Sequence, residues 1–462
     1  MLYCAAGMKP VVEVVANNYF SEYGVRIDIQ YGGSGTLLSN LRVAQQGDLY
    51  LAADSSYIKE AQKFKLVKET QPLSFLKPII AVPKGNPKRV KGLSSVFRDT
   101  LRIAIANPDA ASIGRLTKKM FQDSKLWDSI QNHLEVQMPT VNEVANAIKL
   151  GTVDAGIIWD ATANNYKDID VVEEMAFNKY IKTVTLGVLK FSKEPTEALK
   201  FLRYLSAKNK GLEIFRALGY HPIEGDLWEE TPELLFYSGG VNRLAADETI
   251  NAFETREGIK VTRVYNGCGI LVSQIKAGQN PDAYLTCDVS FMEQVKDRFT
   301  NIMDISNTRI VIVTKKENPK QILSLSDLTK NNIELGVCND KQSALGALTK
   351  QLLKGQGLWE AVYKNIRSQA PTADLLVNQI LTGSLDAVIV YYANVAKVKD
   401  RLEVVSIDLD QAIALQNIGV AAQSNYKYLT KRLINALTEN SSKNKFLEYG
   451  FGWEYTNPDL KQ

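Results

Sequence analysis

Residues 29–54 read IQYGGSGTLLSNLRVAQQGDLYLAAD, and residues 263–288 read RVYNGCGILVSQIKAGQNPDAYLTCD. The two stretches align without gaps, and ten of their 26 positions are identical. Average composition gives roughly one or two matches by chance. Further along, IKLGTVDAGIIW (148–159) matches ILTGSLDAVIVY (380–391) at five of 12 positions. Pro87 pairs with Pro319, Leu93-Ser94 with Leu325-Ser326, and FRALGY (215–220) with FLEYGF (446–451). One unit of about 230 residues is therefore present twice, a period too long for a solenoid and fitting two fused domains. The join falls in IEGDLWEETPE (223–233), after which Leu234-Leu235-Phe236-Tyr237 restarts the pattern of Leu2-Tyr3-Cys4. The expected domains are residues 1–228 and 229–462.

Within a copy, short apolar runs alternate with helix-length amphipathic segments. In the first copy VRIDIQY (25–31), DLYLAAD (48–54), LRIAIAN (101–107) and DAGIIW (154–159) read as strands. TLLSNLRVAQQ (36–46), SYIKEAQKF (56–64), SIGRLTKKMFQD (112–123) and VNEVANAIKLG (141–151) read as helices. This alternation predicts an α/β fold on mostly parallel sheets, in which ligands bind beyond the carboxyl ends of the strands.

The bulk properties exclude several classes. A chain of 462 residues with 45% hydrophobic and 23% charged residues has the composition of a folded protein. Its 55 basic and 51 acidic residues nearly balance, which leaves no footprint for a nucleic-acid binder. No apolar run approaches the ~18 residues that cross a bilayer. Only His133 and His221 supply imidazole, and both read as structural. There is no Gly-x-x-x-x-Gly-Lys, no His-Glu-x-x-His and no Ser–His–Asp arrangement, so catalysis is not expected. No cofactor is expected. Cys4, Cys268, Cys287 and Cys338 have neither metal-site spacing nor the density of a disulfide scaffold. The start of the sequence has no charged segment followed by an apolar one, and reads as cytoplasmic or as a mature form given a new methionine.

The unusual residues lie at strand-to-helix turns. Tyr31-Gly32-Gly33-Ser34-Gly35-Thr36 follows a strand and opens a helix. Glycines let the backbone approach a ligand, first-turn amides are expected to be free to donate, and the helix dipole adds partial positive charge. Taken alone, such a turn reads first as a helix cap, because turns of this kind are common. Three further turns strengthen the anion reading: Cys4 to Pro10, Asn107 to Gly114, and Pro139-Thr140-Val141, with Trp159-Asp160 closing the next strand. Tyr31 and Tyr265 are candidates to line the cleft, and Lys9, Lys118 and Lys119 to bias its field towards anions. Cys268 and Cys338 map near the cleft of the second copy, where a soft-metal or redox role stands beside the simpler reading of buried small side chains.

The ordered motifs Tyr-Cys-Ala-Ala-Gly, Gly-Gly-Ser-Gly-Thr-Leu, Asp-Leu-Tyr-Leu-Ala-Ala-Asp, Asn-Pro-Asp and Gly-Ile-Ile-Trp together resemble the molybdate-binding proteins of ABC importers, which are type II periplasmic binding proteins. The resemblance covers nearly all of each copy. It implies two tandem folds, each of two α/β lobes with mixed, mostly parallel sheets and a hinge. The lobes would be residues 1–80 plus 185–228 and 81–184, then 234–312 plus 417–462 and 313–416. Crossing segments would lie near 78–83, 185–189, 310–315 and 417–421. The resemblance further implies a small oxyanion of the molybdate or tungstate class, held by neutral donors and delivered to an ABC importer permease. No metal is implied other than as the oxyanion. The location implied is periplasmic, or extracytoplasmic and membrane-anchored.

Carried over by alignment, the ligand positions are Gly7, Ser34, Ile113, Val141 and Trp159 in the first copy. In the second they are Gly240, Cys268, Leu345, Ala373 and Tyr391. The family's first serine is glycine in both copies. Its second is Ser34 in one and Cys268 in the other, and its tyrosine is Trp159 in one and Tyr391 in the other. Two alternatives stand beside transport: a sensor or interaction module with one or both clefts degenerate, and a binder of a different small ligand in a cleft reshaped by Trp159.

Overall fold

Strands form where short runs are apolar at every position, the pattern of a parallel sheet covered on both faces. Leu2–Ala5, Leu49–Ala52, Ile103–Ala106 and Ala155–Trp159 are buried throughout. The protein is described by a computed structural model over residues 1–98 and 100–456. It divides into two units, Met1–Glu230 and Thr231–Gln462.

In the first unit a six-stranded sheet runs in the order His221–Pro222, Val67–Leu76, Lys182–Leu189, Leu49–Ala52, Leu2–Ala5, Ile29–Gly32. The last three are parallel, with Leu2 opposite both Ile29 and Leu49, and Lys182–Leu189 joins them antiparallel. The second lobe is a five-stranded sheet in the order Leu134–Met138, Ile103–Ala106, Ala155–Trp159, Pro78–Pro83, Ile169–Val172. Helices cover the faces. Lys9–Tyr23 carries proline in its first turn and ends on Gly24 at φ 69°; its counterpart Arg243–Glu257 ends on Gly258 at φ 65°. Both glycines adopt the left-handed stop that side chains disfavour. Among the described residues no helix is long and apolar enough to cross a membrane.

The sequence reading of Ser112–Asp123 agrees with the helix end to end, and Val141–Lys149 closes two residues early. The strand expected over 25–31 is only Ile29–Gly32. It is the sheet edge, and the preceding Arg26 and Asp28 project into solvent with side-chain exposures of 83% and 74%.

The two units differ at their hinges. In the first, Val67–Leu76 belongs to one lobe and Pro78–Pro83 to the other. Pro78 has no N–H to extend a ladder. The intervening Lys77 instead gives its N–H to Asp160 Oδ1 at 3.1 Å and accepts from the Asp160 N–H at 2.9 Å. In the second unit the residue corresponding to Pro78 is Ile310, and one strand, Phe299–Lys315, runs unbroken through both lobes. It pairs with Ile413–Ala421 in the first lobe and with Ala387–Tyr391 in the second, fusing them into one ten-stranded sheet. The expected crossings are corrected accordingly. Residues 78–83 and 310–315 are already second-lobe strand, and 185–189 and 417–421 are already first-lobe strand. The chain crosses at 76–78, 180–182, 309–310 and 407–413.

Candidate functional site

In both units the carboxyl ends of the central strands face one cleft between the lobes. In the first unit Ala5, Gly7, Gly33, Ser34 and Ala53 come from one lobe. Ser112, Ile113, Thr140, Val141 and Trp159 come from the other. All five positions carried over by alignment therefore meet on one cavity. Among the described residues no charged side chain lines it.

Ser34 is 1% exposed, and its Oγ accepts the Ala53 N–H at 3.3 Å. Its carbonyl accepts from the buried Tyr50 hydroxyl at 2.7 Å. With one lone pair engaged by a backbone donor, the Ser34 O–H is left to donate into the cavity. Gly7 is pinned by the Tyr220 hydroxyl, which donates to its carbonyl at 2.6 Å. Opposite, Ile113 lies in the first turn of Ser112–Asp123, and Val141 begins Val141–Lys149. Thr140 and Glu143 form a capping box that satisfies the Glu143 and Thr140 amides. The amides of Ile113 and Val141 have no such partner and point where the helix dipole is positive. Asn142 donates across the cleft to the Ala6 carbonyl at 2.9 Å.

The glycine turn does not behave as its sequence implied. The Gly35 and Thr36 amides are not free: both donate to the Ala110 carbonyl of the opposite lobe, at 2.8 and 3.2 Å. A Cβ on Gly35 would sit 2.4 Å from the Asp109 oxygen, and one on Gly33 2.3 Å from that of Ala110. The second unit repeats this. Gly269 N–H donates to the Gln342 carbonyl at 3.2 Å, and a Cβ there would sit 2.1 Å from the Lys341 oxygen. The two glycines serve lobe-to-lobe contact, and Ser34 between them serves the cavity.

The second cleft is built on the same frame with a different wall. Gly240, Leu345, Ala373 and Tyr391 line it, with Leu345 and Ala373 opening the helices Ala344–Gly355 and Ala373–Leu381. The strand register, however, makes Gly240 the counterpart of Ala6 and places Val241, also on the lining, where the first unit has Gly7. Cys268 does not line the cavity. Its sulfur is fully buried behind Cys287, which lines the cavity in its place. Cys287 stands where the first unit has Ala53, so a methyl wall has become a thiol one. Tyr391 is 1% exposed, and its hydroxyl has no hydrogen-bond partner. Burial first, then the nearby thiols and Asp288, hold that hydroxyl protonated far above the ordinary tyrosine range. A buried donor without an acceptor, on a cavity wall, fits a solute oxygen.

The electrostatics also diverge. In the first unit Asp54, which caps helix Ser55–Lys63, lies 3.6 Å from Lys182. Its counterpart Asp288 caps Val289–Glu293, and the residue corresponding to Lys182 is Ala414. Asn142 becomes Asp374, a carboxylate on the second cavity's lining. Cys338 lies close enough to raise the Cys287 thiol, and its own thiol is pushed by burial up to about 12.

Other expected contributors lie elsewhere. Tyr31 lines an outer groove with Glu13 and Phe20, and Tyr265 donates to Asp247 at 2.6 Å, so neither reaches a cleft. Lys9 pairs with Glu13 and Lys119 with Asp123, and Lys118 lies over Trp127. His221 approaches Asp160 at 3.3 Å beside the hinge. Cys287, Asp374 and the Ala110 carbonyl escaped the sequence reading. The differences between copies at Ala53/Cys287 and Asn142/Asp374 were visible in the alignment, whereas a backbone acceptor has no side-chain signature.

A protein-family model described as "Bacterial extracellular solute-binding protein" matches residues 1–221 and again 234–452. A "Putative binding protein" of Haemophilus influenzae is 28% identical over 225 residues, 48% of this chain and 91% of that protein. The "Putative ABC transporter substrate-binding lipoprotein YvgL" of Bacillus subtilis is 25% identical over 220 residues, 47% of this chain and 84% of its own length. The "Molybdate-binding protein ModA" of Mycobacterium bovis is 22% identical over 200 residues, 42% of this chain and 74% of its own. With nearly the whole chain matched, and matched twice over, it belongs to the bacterial extracellular solute-binding protein family as two copies of the type II fold in series.

Proposed function

We propose that the first copy binds a small tetrahedral oxyanion of the molybdate or tungstate class and delivers it, outside the cytoplasmic membrane, to an ABC importer permease. The observation that carries this is the convergence of the Ser34 hydroxyl and the open Ile113 and Val141 helix starts on one cavity without a charged side chain. Such a cavity replaces an anion's water shell with fixed dipoles. It presents no carboxylate to accept a proton, which favours fully ionised anions over hydrogen phosphate. Trp159 supplies an indole N–H where the resemblance places a tyrosine hydroxyl. The relationship to a named molybdate-binding protein supports the same ligand class.

The second copy supports a different reading. Cys287 on the wall and Asp374 on the lining disfavour a bare dianion, while the Tyr391 hydroxyl retains a donor. Its cleft suits a neutral solute or one bearing donors, or has passed to a sensing role.

Titration calorimetry tests the first reading with molybdate, tungstate, sulfate and phosphate. One oxyanion is expected to bind, and Ser34→Ala to weaken it by about 1–3 kcal/mol, roughly tenfold to a hundredfold. If no oxyanion binds or raises the melting temperature, the transport reading fails and the interaction-module reading replaces it.

A further inference from the structure

At three corresponding positions the first unit has Ala5, Ser34 and Ala53, and the second has Gly239, Cys268 and Cys287. These changes are coupled in space. Cys268 Sγ and Cys287 Sγ lie 2.8 Å apart, and the Cys287 N–H donates to Cys268 Sγ at 3.1 Å. A Cβ at Gly239 would sit 2.1 Å from Cys287 Sγ and 3.1 Å from Cys268 Sγ. The alanine of the first unit would exclude the pair, so losing that methyl is what makes room for two sulfurs.

We propose that Cys268 and Cys287 are a redox pair on the wall of the second solute cleft, closed to a disulfide by a hydroperoxide. The geometry favours this over a metal site. Two thiolates on one tetrahedral zinc at about 2.3 Å stand roughly 3.8 Å apart, whereas a disulfide needs about 2.05 Å. At 2.8 Å the sulfurs are nearer the disulfide. Among the described residues no group of three His, Cys, Asp or Glu side chains is arranged to hold a metal ion.

The two thiols are also unequal. Burial raises both, but hydrogen bonds from the Cys287 S–H and N–H outweigh it at Cys268 and hold that group below the usual thiol range. Cys287, the donor of the pair, is raised. The shared proton lies on the S–H···S axis. When it moves to Cys268, the cavity-facing Cys287 becomes the thiolate that meets an entering peroxide. Its sulfur bonds to one oxygen, the O–O bond breaks, and the departing hydroxide takes the Cys268 proton to leave as water. Cys268 then attacks the Cys287 sulfenic sulfur. The S–S bond forms, the S–O bond breaks, and the second hydroxide is protonated from solvent. In sum, one thiol, one thiolate, one hydrogen peroxide and one proton from solvent give one disulfide and two waters. The step is independent of which solute either cleft takes.

The test uses the full chain and hydrogen peroxide, followed by denaturation, thiol alkylation and peptide mass mapping. The reduced protein takes four labels, one for each free cysteine. After peroxide two labels are expected to be lost, with a Cys268–Cys287 cross-linked peptide lighter by two hydrogens and all labels restored by dithiothreitol. Cys287→Ser is expected to keep its three remaining labels. If that variant does not fold, the wild-type cross-link alone decides. Retention of four labels, a disulfide through Cys338 or Cys4, or label loss without a cross-link overturns the proposal.

Discussion

The two clefts share a frame and differ in what they present. Both hold the lobes together with a glycine amide bonded to a carbonyl across the gap, Gly35 to Ala110 and Gly269 to Gln342. Both place two helix starts opposite the strand ends. The first then offers a hydroxyl donor among uncharged groups, with its nearby Asp54 accompanied by Lys182. The second offers a thiol, a tyrosine hydroxyl and a carboxylate. Duplication preserved the closing geometry and released the solute-facing wall, so closure and selectivity are separable in this fold. The hinges add a second contrast. The first is interrupted at Pro78, and the second is a continuous strand whose ladder must bend for its lobes to part.

The largest difference between the copies lies away from the clefts. At corresponding helix positions the second unit buries Glu257 against Arg432, with contacts of 2.6 and 3.0 Å. The first unit has Tyr23 and Lys200, the ammonium 4.7 Å from the ring centroid. Glu257→Ala removes the carboxylate facing a buried guanidinium and is expected to cost about 3–5 kcal/mol. Lys200→Ala removes a partly exposed cation–π contact and an exposed ion pair with Glu230, and is expected to cost about 1 kcal/mol. Denaturant unfolding followed by hydrogen exchange in each unit measures both. Equal costs would mean the two solutions are energetically interchangeable.

The next effect separates closure from folding. Gly35→Ala puts a methyl against the Asp109 carbonyl, a clash that an open clamp avoids and a closed one does not. Overpacking costs typically 1–3 kcal/mol, so solute affinity in the first copy is expected to fall by up to about a hundredfold. The melting temperature without solute is expected to stay unchanged. A fall in both would assign the glycine to folding and remove the closure argument.

The sequence carried the duplication and the α/β alternation because both are written in side-chain pattern. It carried Ser112–Asp123 to the residue, since a turn of small residues precedes it and Lys125, at φ 56°, follows its end. The hinge contrast was half-legible: Pro78 against Ile310 can be read, but the contact of Lys77 with Asp160, 83 positions away, cannot. In the site, residue identity located the cavity walls and failed where backbone did the work. Gly35 looked like an anion donor because its amide opens a helix, and only the fold reveals that Ala110 already takes it. Cys268 was misplaced for a similar reason. Its burial is set by Cys287 and Gly239, which reach it only through packing.

A smaller contrast concerns two cleft glycines that are not counterparts, since the strand register pairs Gly7 with Val241 and Gly240 with Ala6. At Gly240 a Cβ would meet nothing within 4 Å, while at Gly7 it would lie 3.1 Å from Val141 Cγ1. Gly240→Ser is therefore expected to change stability by less than about 0.5 kcal/mol. Gly7→Ser is expected to cost about 1 kcal/mol as Val141 yields. Thermal unfolding of both variants checks the order, and a reversal would place the tighter cleft in the second unit.

The smallest effect is the most diagnostic for charge. Asp374 lines the second cavity at an exposed position, where it accepts from Asn394 at 3.3 Å, while its counterpart Asn142 reaches across to the Ala6 carbonyl. An exposed charge acts through high dielectric, about 1 kcal/mol at contact distance in water and less beyond it. Asp374→Asn is thus expected to improve any oxyanion binding in the second copy only several-fold. The gain is expected to shrink as salt rises towards physiological strength, where the Debye length is about 8 Å. A gain that survives high salt would instead mean the new amide bridges the lobes as Asn142 does, making the residue part of closure. No gain at low salt would leave the sulfur wall as the reason the second cleft rejects anions.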